Sequence, residues 1–375
     1  MSTRSTPTLP EFRSITRSFA LHGDVVAAAP YGSGHINDTY AVTVSQAGAP
    51  MRYIFQRINH TIFKDVPALM DNILRVTAHQ QDRLTAAGGS DASRRALTVI
   101  LARNGKPFVR DEHGAWWRAY LFIEGAITHD KIESPGQART AAKAFGEFQR
   151  LLADLPGARL HETIPGFHDT PRRFATLGKA IEVDAVKRAG GAAAEIAFAL
   201  EQKALACRLT DLLAQGLVQE RVTHNDTKLN NVMLDNDTGA GVCVIDLDTV
   251  MPGLSLYDFG DMVRSATNAA AEDETDLNLV FARPEIFTAL AEGFLAGCGS
   301  ALNTVERAHL AVAGQVMTYE VGIRFLTDYL QGDIYFKIKH PGHNLERARN
   351  QFALLRSLQS QQTAFEQIIT AKEAC

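Results

Sequence analysis

Cysteine is scarce in this chain: four occur in 375 residues, at Cys207, Cys243, Cys298 and Cys375. No two are close enough to form a C-x-x-C pair, which argues against a zinc knuckle or a thioredoxin-type motif. Scattered thiols in a chain this long fit a reducing compartment. Long apolar runs are missing too. The longest, such as Val25 to Pro30, fall far short of a membrane span, and Met1 to Pro10 is polar and lacks the apolar segment of a secretory signal. A cytoplasmic protein with no membrane contact is expected. Charge of one sign is not in excess either. Lys plus Arg number 38 and Asp plus Glu 42, a formal net charge of −4, so the basic footprint of a general nucleic-acid binder is absent. No repeat or low-complexity segment is visible. No G-x-x-x-x-G-K-[ST] occurs, which disfavours a Walker-type nucleotide site.

What is present is a soluble, well-cored composition. Hydrophobic residues make up 46% of the chain, too many for wholesale disorder. The length exceeds one usual core, so two lobes are expected. Residues 1–22 read as a leader. Val25–Ala29, Tyr40–Val44 and Arg52–Ile58 read as strands, followed by a helix over 65–85, a strand at Leu97–Leu101 and a hairpin from Phe108–Arg110 to Ala115–Ile123. After Gly125 long helical patterns dominate (about 135–154, 171–190 and 192–216), interrupted by a β-rich island from Val222 to Ile245 and resuming near Tyr257. The reading is an α+β, bilobal, protein-kinase-like fold. Its N-lobe, 1–123, is small and mostly antiparallel β; its C-lobe, 124–375, is larger and mostly helical.

The β-rich island carries the chemistry. Val222-Thr-His-Asn-Asp-Thr-Lys-Leu-Asn-Asn-Val-Met-Leu234 and Val242-Cys-Val-Ile-Asp-Leu-Asp248 give the skeleton H-x-D-x-x-x-x-N, strand, turn, strand, Asp. Kinase-like phosphoryl transfer needs this order. Asp226 would take or orient the proton of an acceptor hydroxyl. Lys228 would neutralise charge on the transferred group. Asn231 and Asp246 supply the hard oxygen ligands that Mg²⁺ prefers. His224 is expected to fix the loop rather than act as a base. Asp248 is open between a ligand and a turn residue, and Asp258 between a functional group and a helix cap. Asp258-Phe-Gly260 lies past the strand end and is read as a decoy.

The nucleotide side is expected in the first lobe. A glycine loop, Gly32-Ser33-Gly34 with Asn37 beyond it, joins two strands, as in the loop that covers ATP phosphates in the kinase fold. Only one of Gln56 and Arg57 can face the ligand, because strand side chains alternate. Arg57 is the chosen phosphate-binding cation. The hinge around Tyr120 and Phe122 would take the adenine on its backbone groups.

Several segments match a known pattern: Tyr31-Gly-Ser-Gly-His-Ile-Asn-Asp-Thr-Tyr40, Phe55-Gln-Arg-Ile-Asn59, Phe63 to Ile73, Phe167-His-Asp-Thr-Pro-Arg-Arg173, the β-rich island, and Arg324 to Lys337. On these the chain resembles the aminoglycoside phosphotransferase and choline kinase-like superfamily, and more closely the bacterial N-acetylhexosamine 1-kinases. The resemblance implies an ATP- and Mg²⁺-dependent kinase acting on the anomeric hydroxyl of GlcNAc or GalNAc. It also implies Asp226 as the base and sugar contacts from Arg324 and Tyr335. From spacing alone, Glu320, Arg324 and Asp328 would be a solvated ion-pair row on a helix. A small-molecule sugar partner and a monomer are expected. Two other readings stand beside this one: the same fold acting on an aminoglycoside, choline or another small alcohol, and an inert ATP-binding regulator.

Overall fold

The computed structural model describes residues 6–32, 34, 36–89 and 91–373. Alternation of β-branched and aromatic residues produces an antiparallel meander: β1 (Asp24–Pro30), β2 (Asp38–Gln46) and β3 (Ala49–Ile58). After helices α2 (Val66–Ala86) and α3 (Ala92–Arg95) come β4 (Val99–Ile100), β5 (Val109–Arg110) and β6 (Trp116–Leu121). The sheet order is β1-β2-β3-β6-β4, with β5 also on β6. The first residues are more than a leader. Leu9–Arg17 is a helix, α1, whose Thr8–Glu11 capping box starts it and whose Phe12 and Ile15 enter the core on the sheet's outer face.

The chain leaves this sheet through β7 (Ala126–Ile127), which pairs with the second β-rich unit. Long helices follow: α4 (Pro135–Leu152) and α5 (Thr170–Val183). The helix expected over 192–216 is broken at Gln202-Lys203 into α6 (Ala193–Glu201) and α7 (Ala204–Ala214). The island resolves into β8 (Arg221–Thr223), β9 (Val232–Asp235), β10 (Gly241–Val244) and β11 (Met251–Gly253). Helices α8 (Ser255–Thr267), α9 (Pro284–Cys298), α10 (Thr304–Ala308), α11 (Leu310–Gln331), α12 (His343–Ser360) and α13 (Gln362–Glu373) complete the fold.

One apolar core runs from α2 (Leu69, Met70, Ile73) through α4, β9 and β10 to α8 and α9. A second lies between α5, α6, α11 and α12. The sheet-bearing and helical parts therefore share packed side chains, and the polar groups between them are held from both sides. No helix among the described residues is long and apolar enough to cross a membrane.

Candidate active site

Three carboxylates and a lysine gather where the β8–β9 loop meets the end of β10. Lys228 Nζ lies 2.9 Å from Asp226 Oδ1. Asn231 Nδ2 donates to the Asp226 carbonyl at 2.8 Å and to its Oδ2 at 3.3 Å. The Asp226 carboxylate raises the Lys228 ammonium above its ordinary value, against the opposing effect of burial. Asp246 retains solvent contact on one side. Burial on its other sides and the charges of Asp248 and Asp226 push its carboxyl up to about 6, against the pull of Arg118 and His224. Asp246 and Asn225 are both held in the left-handed region, at φ 58° and 65°. Backbone strain of this kind concentrates at sites whose surroundings over-determine them.

The loop is fastened by groups that spacing alone does not assign. Asp258, buried in the first turn of α8, accepts the amides of His224 and Asn225 at 3.0 and 2.7 Å, while Gln149 donates to it at 2.6 Å. Asp261 accepts the Thr227 amide at 3.0 Å. The Asp258-Phe-Gly260 segment is thus helical scaffold for the loop and not the end of β10. His224 holds the loop as expected: Nδ1 accepts the Asp226 amide at 3.3 Å and Nε2 meets the Ile245 carbonyl at 2.9 Å.

Asp248 is neither a solvated turn residue nor free. It is buried in an ion pair with Arg118 of β6, and Asn37 donates to it at 2.5 Å. Asn37 also accepts the Asn59 amide at 2.9 Å, so the residue expected to touch nucleotide is here a link between the glycine loop and the helical part. Arg118 Nε donates to Gln56 at 2.8 Å.

The expectation for Arg57 needs correction. Cross-strand pairing puts Gln56 opposite Arg118 and Arg57 opposite Trp117. Residues facing each other across a ladder share a side of the sheet, so Arg57 points to the outer face. There it pairs with Asp38 at 2.8 Å and lies 5.7 Å from the Trp117 ring. The cation on the Asp248 side is Arg118.

Gly32, at φ 78°, and Gly34 have no heavy atom within 4 Å of where a Cβ would sit, so space is open at both glycines. Ser33 lies outside the described residues. Phe122 packs edge-on to Tyr31 of that loop, at 5.4 Å, under the Arg52 guanidinium. The Tyr120 side chain is buried beside Arg118.

Arg324 and Tyr335 lie together, 6.0 Å from guanidinium carbon to ring centre, and Phe167 and Phe336 flank the same guanidinium at 5.6 Å. The row expected there is not solvated: Glu320 meets Arg324 at 4.0 Å, but away from the surface. Glu320 is buried against His168 and Thr170. Asp328 is buried too, and it accepts the amides of Ile334, Tyr335 and Phe336, shaping the turn that presents Tyr335. Burial, with Arg324 close by, lowers the neighbouring Arg173 guanidinium.

Among the described residues no cluster of three or more His, Cys, Asp or Glu side chains forms an all-protein metal cage. A magnesium ion completed by phosphate and water does not require one. The donor set fits it. Asn231 commits its NH₂ to Asp226, which leaves its amide oxygen as the donor, and Asp246 sits among carboxylates whose mutual repulsion a cation would relieve.

Residues 27–288, well over half of the chain, match the family model described as "APH: Phosphotransferase enzyme family". Solved structures share the fold at low identity. An aminoglycoside phosphotransferase from Alicyclobacillus acidocaldarius subsp. acidocaldarius DSM 446 is 13% identical, with TM-score 0.60 over 99% of each chain. A choline kinase from Cryptosporidium parvum Iowa II is 14% identical, with TM-score 0.57 over 96% of this chain and 98% of that one. The GDP complex of aminoglycoside 2'-phosphotransferase-IIIa is 10% identical, with TM-score 0.54 over 92% of this chain and 99% of that one.

Proposed function

The chain belongs to the APH phosphotransferase enzyme family, and from that premise we propose that it transfers the γ-phosphoryl group of ATP to the anomeric hydroxyl of an N-acetylhexosamine, GlcNAc or GalNAc. The observation that carries this reading is the convergence of Lys228 and Asn231 on the Asp226 carboxylate, whose own backbone amide is clamped by His224. A nucleotide donor is supported by the GDP complex of a protein with the same fold.

Asp226 accepts the proton of the acceptor hydroxyl as the phosphoryl group moves in line from ATP. Lys228 lies against Asp226 and offsets charge on the group in transit. Gly32 and Gly34 leave backbone amides free to approach the phosphates. Asn231 and Asp246 would hold Mg²⁺, which when bound neutralises phosphate charge. Positioning and charge stabilisation supply most of the rate in such transfers. The acceptor lies on the Arg324–Tyr335 side. Two guanidiniums there, Arg173 and Arg324, disfavour a cation such as choline or an aminoglycoside and favour a neutral ligand rich in oxygen acceptors.

The test is turnover of Mg-ATP with GlcNAc, GalNAc, choline and aminoglycosides, followed by phosphorus NMR of the product. A sugar 1-phosphate is expected. Phosphorylation of choline or an aminoglycoside instead would overturn the acceptor assignment, and binding of Mg-ATP without turnover of any acceptor would favour a regulator. Asp226→Asn is expected to lose at least about a hundredfold in kcat, the scale of general-base assistance, with an unchanged melting temperature.

A further inference from the structure

The Phe167–Arg173 segment contributes a group that the reaction above does not use. We propose that His168 is a positioning residue, an imidazolium that ties the acceptor side of the site to the peptide unit from which Asp226 projects. The inference rests on Asp226 being the base and on the Arg324 side receiving the acceptor.

His168 is almost wholly buried, and both ring nitrogens face acceptors. Nδ1 is 2.8 Å from Glu320 Oε1 and Nε2 is 3.0 Å from the Asn225 carbonyl. A neutral imidazole carries one N–H and would set a lone pair against a lone pair at one end. Two protons satisfy both contacts. The other groups facing the ring agree with a positive charge. Thr170 donates to the second Glu320 oxygen at 2.6 Å, and against burial the Glu320 carboxyl is held below its ordinary value by His168, Arg324 and Thr170, so it faces the ring as a carboxylate. Tyr257 and Phe167 place rings 5.2 and 4.6 Å away, and Asp261 adds a further negative charge from α8. Arg324 and Arg173 oppose it from beyond Glu320, Arg324 at 4.0 Å from the Glu320 carboxylate. Burial resists the charge, yet Glu320 and the Asn225 carbonyl outweigh it, and His168 is raised.

The Asn225–Asp226 peptide is consequently gripped on both edges. Its carbonyl meets His168, and its N–H meets His224. Rotation of that plane would swing the Asp226 side chain. Glu320 and Arg324 are one helical turn apart on α11, so a ligand that moves Arg324 also acts on the partner of His168.

Two measurements decide the proposal. The first, nitrogen-15 histidine NMR of the full chain, requires no acceptor. Because His168 is raised, both nitrogens should stay protonated above about pH 6.5, where an ordinary histidine has lost its charge, and the pair's contribution should fade only as pH climbs through the raised value. A neutral tautomer at about pH 7 would overturn the proposal. The second compares wild type, His168→Gln, Glu320→Gln and the double variant with Mg-ATP and GlcNAc, or with whichever acceptor of the panel the wild type phosphorylates. Expected is a loss of about ten- to a hundredfold in kcat with KM for ATP within about twofold, the double variant being no worse than His168→Gln alone. In Glu320→Gln the alkaline fall in kcat should move to lower pH. Unchanged kcat in Glu320→Gln, or a loss that merely tracks a fallen melting temperature, would overturn the positioning role. If His168→Gln does not fold, Glu320→Gln and the NMR decide. Wild-type turnover of a different acceptor would refute the sugar assignment and leave this comparison intact.

Discussion

His224 and Arg57 show what residue spacing can and cannot carry. His224 sits in a local motif, and its partners Asp226 and Ile245 lie 2 and 21 residues away, so its loop-fixing task is readable from order alone. Arg57 sits on a strand whose alternation was legible but whose phase was not. Which face meets the helical part depends on the Gln56–Arg118 pairing across 62 residues, and no local pattern encodes that. His168 and Glu320, 152 residues apart, were hidden for the same reason. The two arginines offer a direct test. Arg118→Ala strands the buried Asp248 carboxylate and is expected to cost about 3–5 kcal/mol of stability, with a raised KM for Mg-ATP. Arg57→Ala removes a half-open pair with Asp38 and the contact with Trp117, and should cost about 1–2 kcal/mol, less than Arg118→Ala, with KM for Mg-ATP unchanged. Urea melts and initial rates of both variants check the contrast; equal effects would return Arg57 to the cleft.

Among the elements, strands β1–β3 and helices α2 and α4 follow from periodicity, with bounds close to those expected. Helix α1 does not, because it spans nine residues and is held by tertiary burial of Phe12 and Ile15 more than by its own propensity. The α4–α9 crossing was equally invisible. There Gly146, Gly293 and Gly297 let two backbones touch: a Cβ on Gly146 would lie 2.6 Å from the Phe294 carbonyl, and one on Gly293 would fall on the Arg139 carbonyl. Neither carbonyl can swing away as a side chain can. Gly293→Ala should therefore destabilise by about 1–3 kcal/mol, despite alanine's better helix propensity. Calorimetry measures it, and an unchanged or raised melting temperature would show that the helices can separate at no cost.

For the molecule as a whole, the net charge of −4 means that phosphate must be held by local groups and not by an overall field. The join between the sheet and the helices is equally local. Arg94 of α3 donates to the Glu124 and Gly125 carbonyls at 3.1 and 3.0 Å and reaches Asp235 of β9 at 2.7 Å. Arg94 and Thr238 hold the Asp235 carboxyl well below the usual range. Arg94→Ala should speed amide exchange several-fold at Asn236, whose N–H meets the Gly125 carbonyl, and leave β1–β3 unaffected; hydrogen-exchange mass spectrometry reads both. Burial of the Arg118–Asp248 pair has a consequence for ionic strength. Mobile ions screen charges they can approach, over about 8 Å at physiological salt. They reach an open pair such as Arg159–Glu220 but not one enclosed beside Gln56 and Met70. The alignment of the glycine loop with Asp246 is thus set by a contact that salt does not loosen, and any salt dependence of nucleotide affinity reports the phosphates themselves.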